Sequence, residues 1–168
     1  MITKDQLRDG MLKEIDIAVH LHSKLTPAMM DYRPTPEQRS TRELLQYLAV
    51  VGIAATTCMA KNNWDLYAEY QARVKDMKPG DFPKLMAQQK EELAQFFASV
   101  SETLLETQET QTPGGGMAPL GLAILNGPFK WMTAYKLQLF LYAKAAGVAD
   151  INTANAWAGV DRRPAATT

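Results

Sequence analysis

Apolar side chains recur at steps of three and four residues over most of the chain, and this spacing constrains the fold most strongly. One long stripe consists of Leu85, Met86, Leu93, Phe96, Phe97, Val100 and Leu104. Side chains three and four positions apart share one face of an α-helix. We find no segment with the sustained apolar and polar alternation that is typical of a half-buried strand. The pattern therefore predicts an all-α protein without strands.

Capping boxes mark the beginnings of the first two predicted helices. Thr3 is followed at the third position by Gln6, and Ser40 is followed in the same way by Glu43. In this arrangement the hydroxyl accepts a backbone N–H of the first turn while the longer side chain returns to the cap N–H. We expect the second helix to continue without a break to Cys58.

Glycine and proline mark the limits of the other two long helices. The third helix is expected to run from the cap Asp81 to about Thr107. The fourth occupies part of 120–146, where Gly127-Pro128 either starts its main body or kinks it, and Gly147 stands where a helix-terminating glycine is common.

Four long amphipathic helices predict a four-helix bundle, with a short extra helix in WDLYAEYQARV and an irregular C-terminal tail. We expect one domain over residues 1–160 and a flexible tail over residues 161–168. Residues 110–119 contain two prolines and three consecutive glycines, which predicts a mobile loop whose role the sequence does not indicate.

The charge balance and the single cysteine argue against several classes of function and location. Lys plus Arg and Asp plus Glu number 18 each, so no net positive field favours nucleic acid or an anionic membrane. The charged start MITKDQLRDG lacks the apolar core of a signal peptide, and no run of eighteen apolar residues follows. Cys58 stands alone among small and apolar residues, which is typical of a buried thiol in a reducing compartment. We therefore expect a cytoplasmic protein that binds neither nucleic acid nor membrane.

The fourth helix concentrates large side chains with polar tips on one face. These residues are Trp131, Tyr135, Gln138 and Tyr142. Buried phenol and indole groups need hydrogen-bond partners, so the face predicts either a buried polar network or a wet cavity between helices. An aromatic core in which backbone or water satisfies each polar tip remains the alternative.

His20 and His22 are the only histidines, and their spacing of two places them on different faces of a helix. They cannot bind one metal ion together. Asp16 lies one turn before His20 and could orient its imidazole for base chemistry, although a solvated surface pair explains the same spacing. No catalytic residue is assigned.

The segments RPTPEQRSTRELLQYLA and AYKLQLFLYAKAAG together resemble the DinB/YfiT-like superfamily of four-helix bundles, and the resemblance covers roughly residues 7–157. In that family one histidine of the second helix and two histidines of the fourth bind a metal ion. The corresponding positions here are Tyr47, Trp131 and Tyr135. Neutral phenol and indole groups are poor ligands for divalent metals. The resemblance implies the fold, whereas the substitutions predict that metal and cofactor are lacking.

Three functions remain open at this point. In the first, Tyr47, Trp131, Tyr135 and Gln138, with His22 nearby, line a pocket that binds a small organic molecule. The second is an enzyme, a hydrolase or thiol transferase as the family resemblance suggests, in which a histidine acts with tyrosines. The third is a structural or self-associating bundle whose aromatic residues fill the former site. We expect a homodimer in each case, because the fourth helix is apolar nearly all round.

Overall fold

The computed structural model describes residues 2–161, and of the predicted tail at 161–168 only Asp161 falls within that range. Within it the α-helices are α1 (Lys4–His22), α2 (Thr41–Leu48), α3 (Val51–Ala60), α4 (Tyr67–Val74), α5 (Phe82–Ser99), α6 (Glu102–Thr107), α7 (Leu120–Ile124), α8 (Lys130–Ala145) and α9 (Thr153–Trp157). A hairpin consists of β1 (Glu109–Gln111) and β2 (Met117–Pro119).

The predicted four-helix bundle is confirmed. Its four arms are α1, the bent pair of α2 and α3, α5, and the pair of α7 and α8, which a π-helical turn at Leu125–Phe129 joins into one helix. Helix α1 packs against α5 and α8, while α2 and α3 pack against both of those helices. The core between the arms is apolar and fully enclosed, with Met11, Leu44, Leu93, Phe97 and Leu139 at zero exposure. Burial of these side chains is the main stabilising contribution.

Both predicted capping boxes are present. The backbone N–H of Gln6 donates to Thr3 Oγ1 at 3.2 Å, and the backbone N–H of Glu43 donates to Ser40 Oγ at 3.3 Å. The reciprocal bond from the Ser40 amide to Glu43 Oε2 measures 2.6 Å. Helix α8 ends as expected before Gly147, whose φ is +100°. Local sequence alone therefore determines these helix ends.

The second predicted helix is wrong in one respect, because it is interrupted at Ala49 and Val50. Helices α2 and α3 meet there at an angle of 42°. No single helix in residues 2–161 is long and apolar enough to cross a membrane, whereas this bent pair meets that criterion by length and composition alone.

Gln89 of α5 occupies the break. Its Oε1 accepts the amides of Gly52 and Ile53 at 2.8 and 3.2 Å, and its Nε2 donates to the Leu48 carbonyl at 2.9 Å. The side chain is 1% exposed. Backbone groups freed by an interrupted helix must find partners when they are buried. The Gln89 side chain supplies these hydrogen-bond partners to the end of α2 and to the start of α3.

Gly52 allows this close approach, and Gly52→Ala is expected to lower the free energy of unfolding. The added Cβ would lie 2.6 Å from Met132 Sδ and 3.0 Å from Gln89 Oε1. Overpacking costs about 1–3 kcal/mol, and the better helix propensity of alanine offsets about 0.5–1 kcal/mol, so we expect a net loss of about 1–2 kcal/mol. Urea unfolding followed by circular dichroism measures this loss.

The control for that prediction is Gly80→Ala, since a Cβ at Gly80 meets no atom within 4 Å. Its free energy of unfolding is expected to stay within about 0.5 kcal/mol of the wild type. Equal stability of the two variants would contradict the tight packing at Gly52.

The predicted end of the third helix is also wrong. The helix is interrupted, because α5 stops before Val100 and α6 begins after Ser101. Val100 has extended backbone angles, φ −105° and ψ 147°, and the Ser101 hydroxyl accepts the Leu104 amide at 3.0 Å. Lys4 Nζ donates to the Val100 carbonyl at 2.9 Å. The serine cap and this lysine from α1 together stabilise a break that the continuous apolar stripe conceals.

The prediction that the chain has no strands is wrong for the third loop, where Glu109 pairs with Pro119 and Gln111 with Met117 in antiparallel register. Gly115 and Gly116 make the turn possible with φ of +83° and +88°. The buried Thr110 Oγ1 donates to the Met59 carbonyl at 2.7 Å and attaches the hairpin to α3. Strands of three residues are too short to show alternation in the sequence.

A buried ion pair joins α1 to α8. Lys136 Nζ lies 2.7 Å from Glu14 Oε2, and the side chains are 1% and 14% exposed. The Trp157 ring of α9 covers the ammonium, with its centroid 5.1 Å from Nζ. Within residues 2–161 neither Lys136 Nζ nor Glu14 Oε2 has a hydrogen-bond partner, so their contact is an ion pair without hydrogen-bond geometry. The charge of Lys136 is thus neutralised almost entirely by one residue.

Candidate functional site

Tyr47 of α2 and Tyr135 of α8 are in direct contact. Their ring centroids are 4.6 Å apart and the rings are tilted by 60°. The guanidinium of Arg39 lies above both rings, 4.4 Å from the Tyr47 centroid and 5.3 Å from the Tyr135 centroid. Arg39 directly precedes the helix cap Ser40, so the capping box that begins α2 also determines where this cation lies. A guanidinium over aromatic faces is a cation–π arrangement.

A chain of hydrogen bonds fixes the backbone of Arg39. The Tyr142 hydroxyl donates to the Arg39 carbonyl at 3.0 Å and accepts from Gln138 Nε2 at 2.6 Å. The Tyr32 ring packs edge-on against Tyr142 at 5.5 Å between centroids. The polar face predicted for the fourth helix therefore forms a network in which Gln138 acts on Arg39 through Tyr142.

A depression of about 460 Å³ opens beside Tyr47, between α2 and α4. Its lining combines apolar, phenolic and charged side chains, namely Arg39, Glu43, Gln46, Tyr47, Val50, Tyr67, Ala68, Gln71, Ala72, Val74 and Lys75. Arg39 and Lys75 form no ion pair within the part of the chain that the structure describes. The depression thus contains two cations that are not neutralised by a described carboxylate.

The phenols of this site remain protonated over a wide pH range. Burial is the main reason that the pKa of Tyr47 is raised, and the neighbouring Tyr67 and Tyr135 raise it further while Arg39 acts in the opposite direction. Burial likewise raises the pKa of Tyr67. Both hydroxyls are therefore neutral at physiological pH, and because they are hydrogen-bonded to each other, one proton of the pair is left to donate to a ligand.

The donor set does not fit a divalent metal ion. Two of the three positions that the resemblance assigns to metal ligands, Tyr47 and Tyr135, carry neutral phenols beneath the positive charge of Arg39. Among residues 2–161 there is no group of three or more His, Cys, Asp or Glu side chains arranged to bind a metal ion. The positive charge of Arg39 repels a second cation, and neutral phenol oxygens are too weak as donors to offset this repulsion.

Both histidines form contacts away from this depression. The Nε2–H of His22 donates to the Pro79 carbonyl at 2.9 Å, and its ring packs against Phe82 at 5.0 Å between centroids. Burial lowers the pKa of His22. His20 Nε2 lies 3.0 Å from Asn155 Nδ2. Neither imidazole lines the depression beside Tyr47.

Asp16 and His20 do not form the pair that their spacing allows. Asp16 Oδ1 accepts from Lys90 Nζ at 2.6 Å. The nearest carboxylate to His20 is Asp161, at 3.6 Å from Nε2. The structure therefore provides no acidic residue of α1 that orients this imidazole.

Trp131 lies one helical turn before Tyr135 but lines a separate depression of about 360 Å³, together with Pro113 and Asn126. Of the five predicted pocket residues, the structure brings Tyr47 and Tyr135 together and links Gln138 to them through Tyr142 and Arg39. It places Trp131 and His22 elsewhere. Sequence reasoning missed Arg39, Tyr67 and Lys75, for which the only signal was the position of Arg39 immediately before a strong helix cap.

No family model matches the chain, and no curated protein matches it. Solved structures do match. A DinB-like protein from Bacillus subtilis superposes with a TM-score of 0.68 at 15% identity, over 88% of this chain and 95% of the other. A protein described as a member of the DinB family from Exiguobacterium sibiricum gives a TM-score of 0.66 at 18% identity, over 89% and 94%.

The chain therefore has the fold of a DinB-like four-helix bundle. The expected DinB/YfiT-like architecture is confirmed by these superpositions, which extend over nearly the whole length of both chains. At such identities the likeness establishes the fold alone.

Proposed function

We propose that this chain binds a small organic molecule, without a resident metal ion, in the depression beside Tyr47. The observation that supports the proposal is the position of the Arg39 guanidinium over the rings of Tyr47 and Tyr135, at the edge of an open space of about 460 Å³. Small-molecule sites of proteins occupy about 300–1,000 Å³ and combine apolar walls with a few oriented polar groups. The size and the lining both match that description.

The walls of the depression divide into two chemical parts. Val50, Ala68, Ala72 and Val74 provide an apolar surface for the body of a ligand. The phenols of Tyr47 and Tyr67 and the two cations provide the polar contacts. Phenol rings also offer flat faces for stacking, at a low cost in side-chain entropy.

The alternative functions have less support from these contacts. A hydrolase or thiol transferase of the predicted kind needs an imidazole in the site, and both histidines are held elsewhere, by Pro79 and Asn155. A purely structural bundle needs aromatic residues that fill the former site. Here Tyr47 borders open space together with Tyr67 and does not fill it.

The test is a thermal-shift screen of small organic acids, amides and amines, followed by amide NMR titration of each compound that raises Tm. We expect at least one compound to bind saturably and to shift the amides of α2 and α4. Removal of divalent metals with EDTA is expected to leave its Kd unchanged. Absence of any saturable binder, or loss of binding after EDTA treatment, would contradict the proposal.

Two variants locate the binding surface. Tyr47→Leu is expected to weaken binding at least about tenfold, since aromatic contacts and one hydrogen bond are lost. Trp131→Leu serves as the matched control, because Trp131 lines the other depression. Its Kd is expected to stay within about twofold of the wild type. The opposite pattern would place the ligand beside Trp131 instead.

A further inference from the structure

Of the charged side chains around the depression, the carboxylate has partners within residues 2–161 and the two cations have none. Among residues 2–161, Glu43 is its only acidic lining residue, and one oxygen of this carboxylate accepts the Ser40 amide at 2.6 Å and Arg33 Nη2 at 3.0 Å. Arg39 and Lys75 form neither an ion pair nor a side-chain hydrogen bond with any residue in 2–161. The depression therefore has an excess of positive charge.

The N–H donors of Arg39 are available to a ligand. Its side chain is exposed, and its guanidinium carbon lies 4.4 Å from the Tyr47 centroid and 5.3 Å from the Tyr135 centroid. A cation–π contact with aromatic rings does not use up the N–H groups of a guanidinium. The Tyr142 hydroxyl donates to the Arg39 carbonyl and so holds the backbone from which this side chain extends. The planar arrangement of guanidinium N–H groups is suited to bidentate binding of a carboxylate.

The neighbouring phenols are compatible with an anion and unfavourable to a cation. Tyr47 and Tyr67 stay neutral because burial raises the pKa of each. A neutral phenol can donate a hydrogen bond to an anionic oxygen. A cationic ligand would instead meet Arg39 and Lys75 with no unengaged carboxylate among the lining residues.

We infer that the ligand of this depression is an organic carboxylate, whose charged group is bound by Arg39 with one hydroxyl of the hydrogen-bonded pair Tyr47 and Tyr67 as an additional donor. The inference rests on the proposed function and specifies the class of ligand. Lys75, which follows the last residue of α4 and also lines the depression, adds attraction for a negatively charged ligand. The apolar wall formed by Val50, Ala72 and Val74 accommodates an uncharged body.

The test uses three probes of nearly equal shape, namely benzoate, benzamide and benzamidine, which carry a negative, neutral and positive group. Each is titrated into the protein, and Kd is obtained from amide chemical shifts in α2 and α4. We expect benzoate to bind at least about tenfold more tightly than benzamide, since hydrogen bonds to a charged group are stronger than those to a neutral one. Benzamidine is expected not to bind measurably.

Variants of Arg39 test the role of the guanidinium. Arg39→Gln is expected to raise the Kd for benzoate about tenfold or more and to leave that for benzamide within about twofold. Arg39→Lys keeps the positive charge but loses the planar guanidinium donors, so its Kd for benzoate should lie between those of the wild type and Arg39→Gln. Arg8→Gln is the control, since Arg8 is an arginine of α1 that pairs with Asp5 and Asp9 outside the depression.

The outcomes separate this inference from the function on which it rests. If benzamide binds as tightly as benzoate, or if Arg39→Gln affects both equally, carboxylate recognition is overturned while binding in the depression stands. If none of the three probes shifts the amides of α2 and α4, the inference is overturned, and the wider screen then decides the proposed function separately. Preferential binding of benzoate that Arg39→Gln abolishes and Arg8→Gln retains supports the inference.

Discussion

Lys136→Met is expected to lower the free energy of unfolding by about 3 kcal/mol, the lower end of the range of about 3–5 kcal/mol for breaking a buried ion pair. The substitution leaves the Glu14 carboxylate, 14% exposed, without its partner at 2.7 Å. An unpaired charge in such a position keeps its desolvation cost and loses the attraction that offset it. Urea unfolding at neutral pH measures the change.

The double variant Glu14→Met/Lys136→Met is the control for this effect. Two methionines fill similar volume and leave no charge behind, so we expect a stability within about 1 kcal/mol of the wild type. A double-mutant cycle then gives the coupling between the residues. If Lys136→Met were as stable as the double variant, the pair would not be neutralised in the way that its geometry indicates.

Gln89→Met is expected to lower the free energy of unfolding by about 3 kcal/mol, since buried groups left without a partner cost about 1–3 kcal/mol each. Methionine has nearly the same length but cannot accept hydrogen bonds from the amides of Gly52 and Ile53 or donate one to the carbonyl of Leu48. The amides at the break should also exchange faster with solvent, which hydrogen exchange detects by NMR.

The matched control for that variant is Gln95→Met on the same helix. Gln95 is exposed, and its one side-chain hydrogen bond goes to Glu91 at 2.8 Å. Its loss is expected to change stability by less than about 0.5 kcal/mol. Protection of the Gly52 amide that survives in Gln89→Met would show that the break is satisfied by other means.

The capping boxes and the bundle could be predicted because their causes are local. Ser40 and Glu43 lie within one helical turn and satisfy each other. The helix breaks could not be predicted, because their partners are distant in sequence. Gln89 is separated from Gly52 by 37 positions, and Lys4 from Val100 by 96. Periodicity of apolar residues continues across both breaks and therefore conceals them.

The site was predictable to a similar extent. The resemblance identified Tyr47 and Tyr135 as equivalents of ligand positions, and the structure shows their rings in contact. Arg39 and Tyr67 carry no pattern that marks them as partners of those residues. Their proximity depends on how the loop before α2 and the start of α4 pack, which one sequence does not reveal. The homodimer and the single-domain boundary at residue 160 stay predictions.

The short length of α2 has a consequence for how ligand preference can change. The depression is bordered by α2 and α4, two helices of eight residues, rather than by the long arms of the bundle. Most of its lining side chains are exposed or partly exposed, so exchanging them disturbs few core contacts. On the proposed function, selection can therefore alter which ligand is preferred here at little cost in stability.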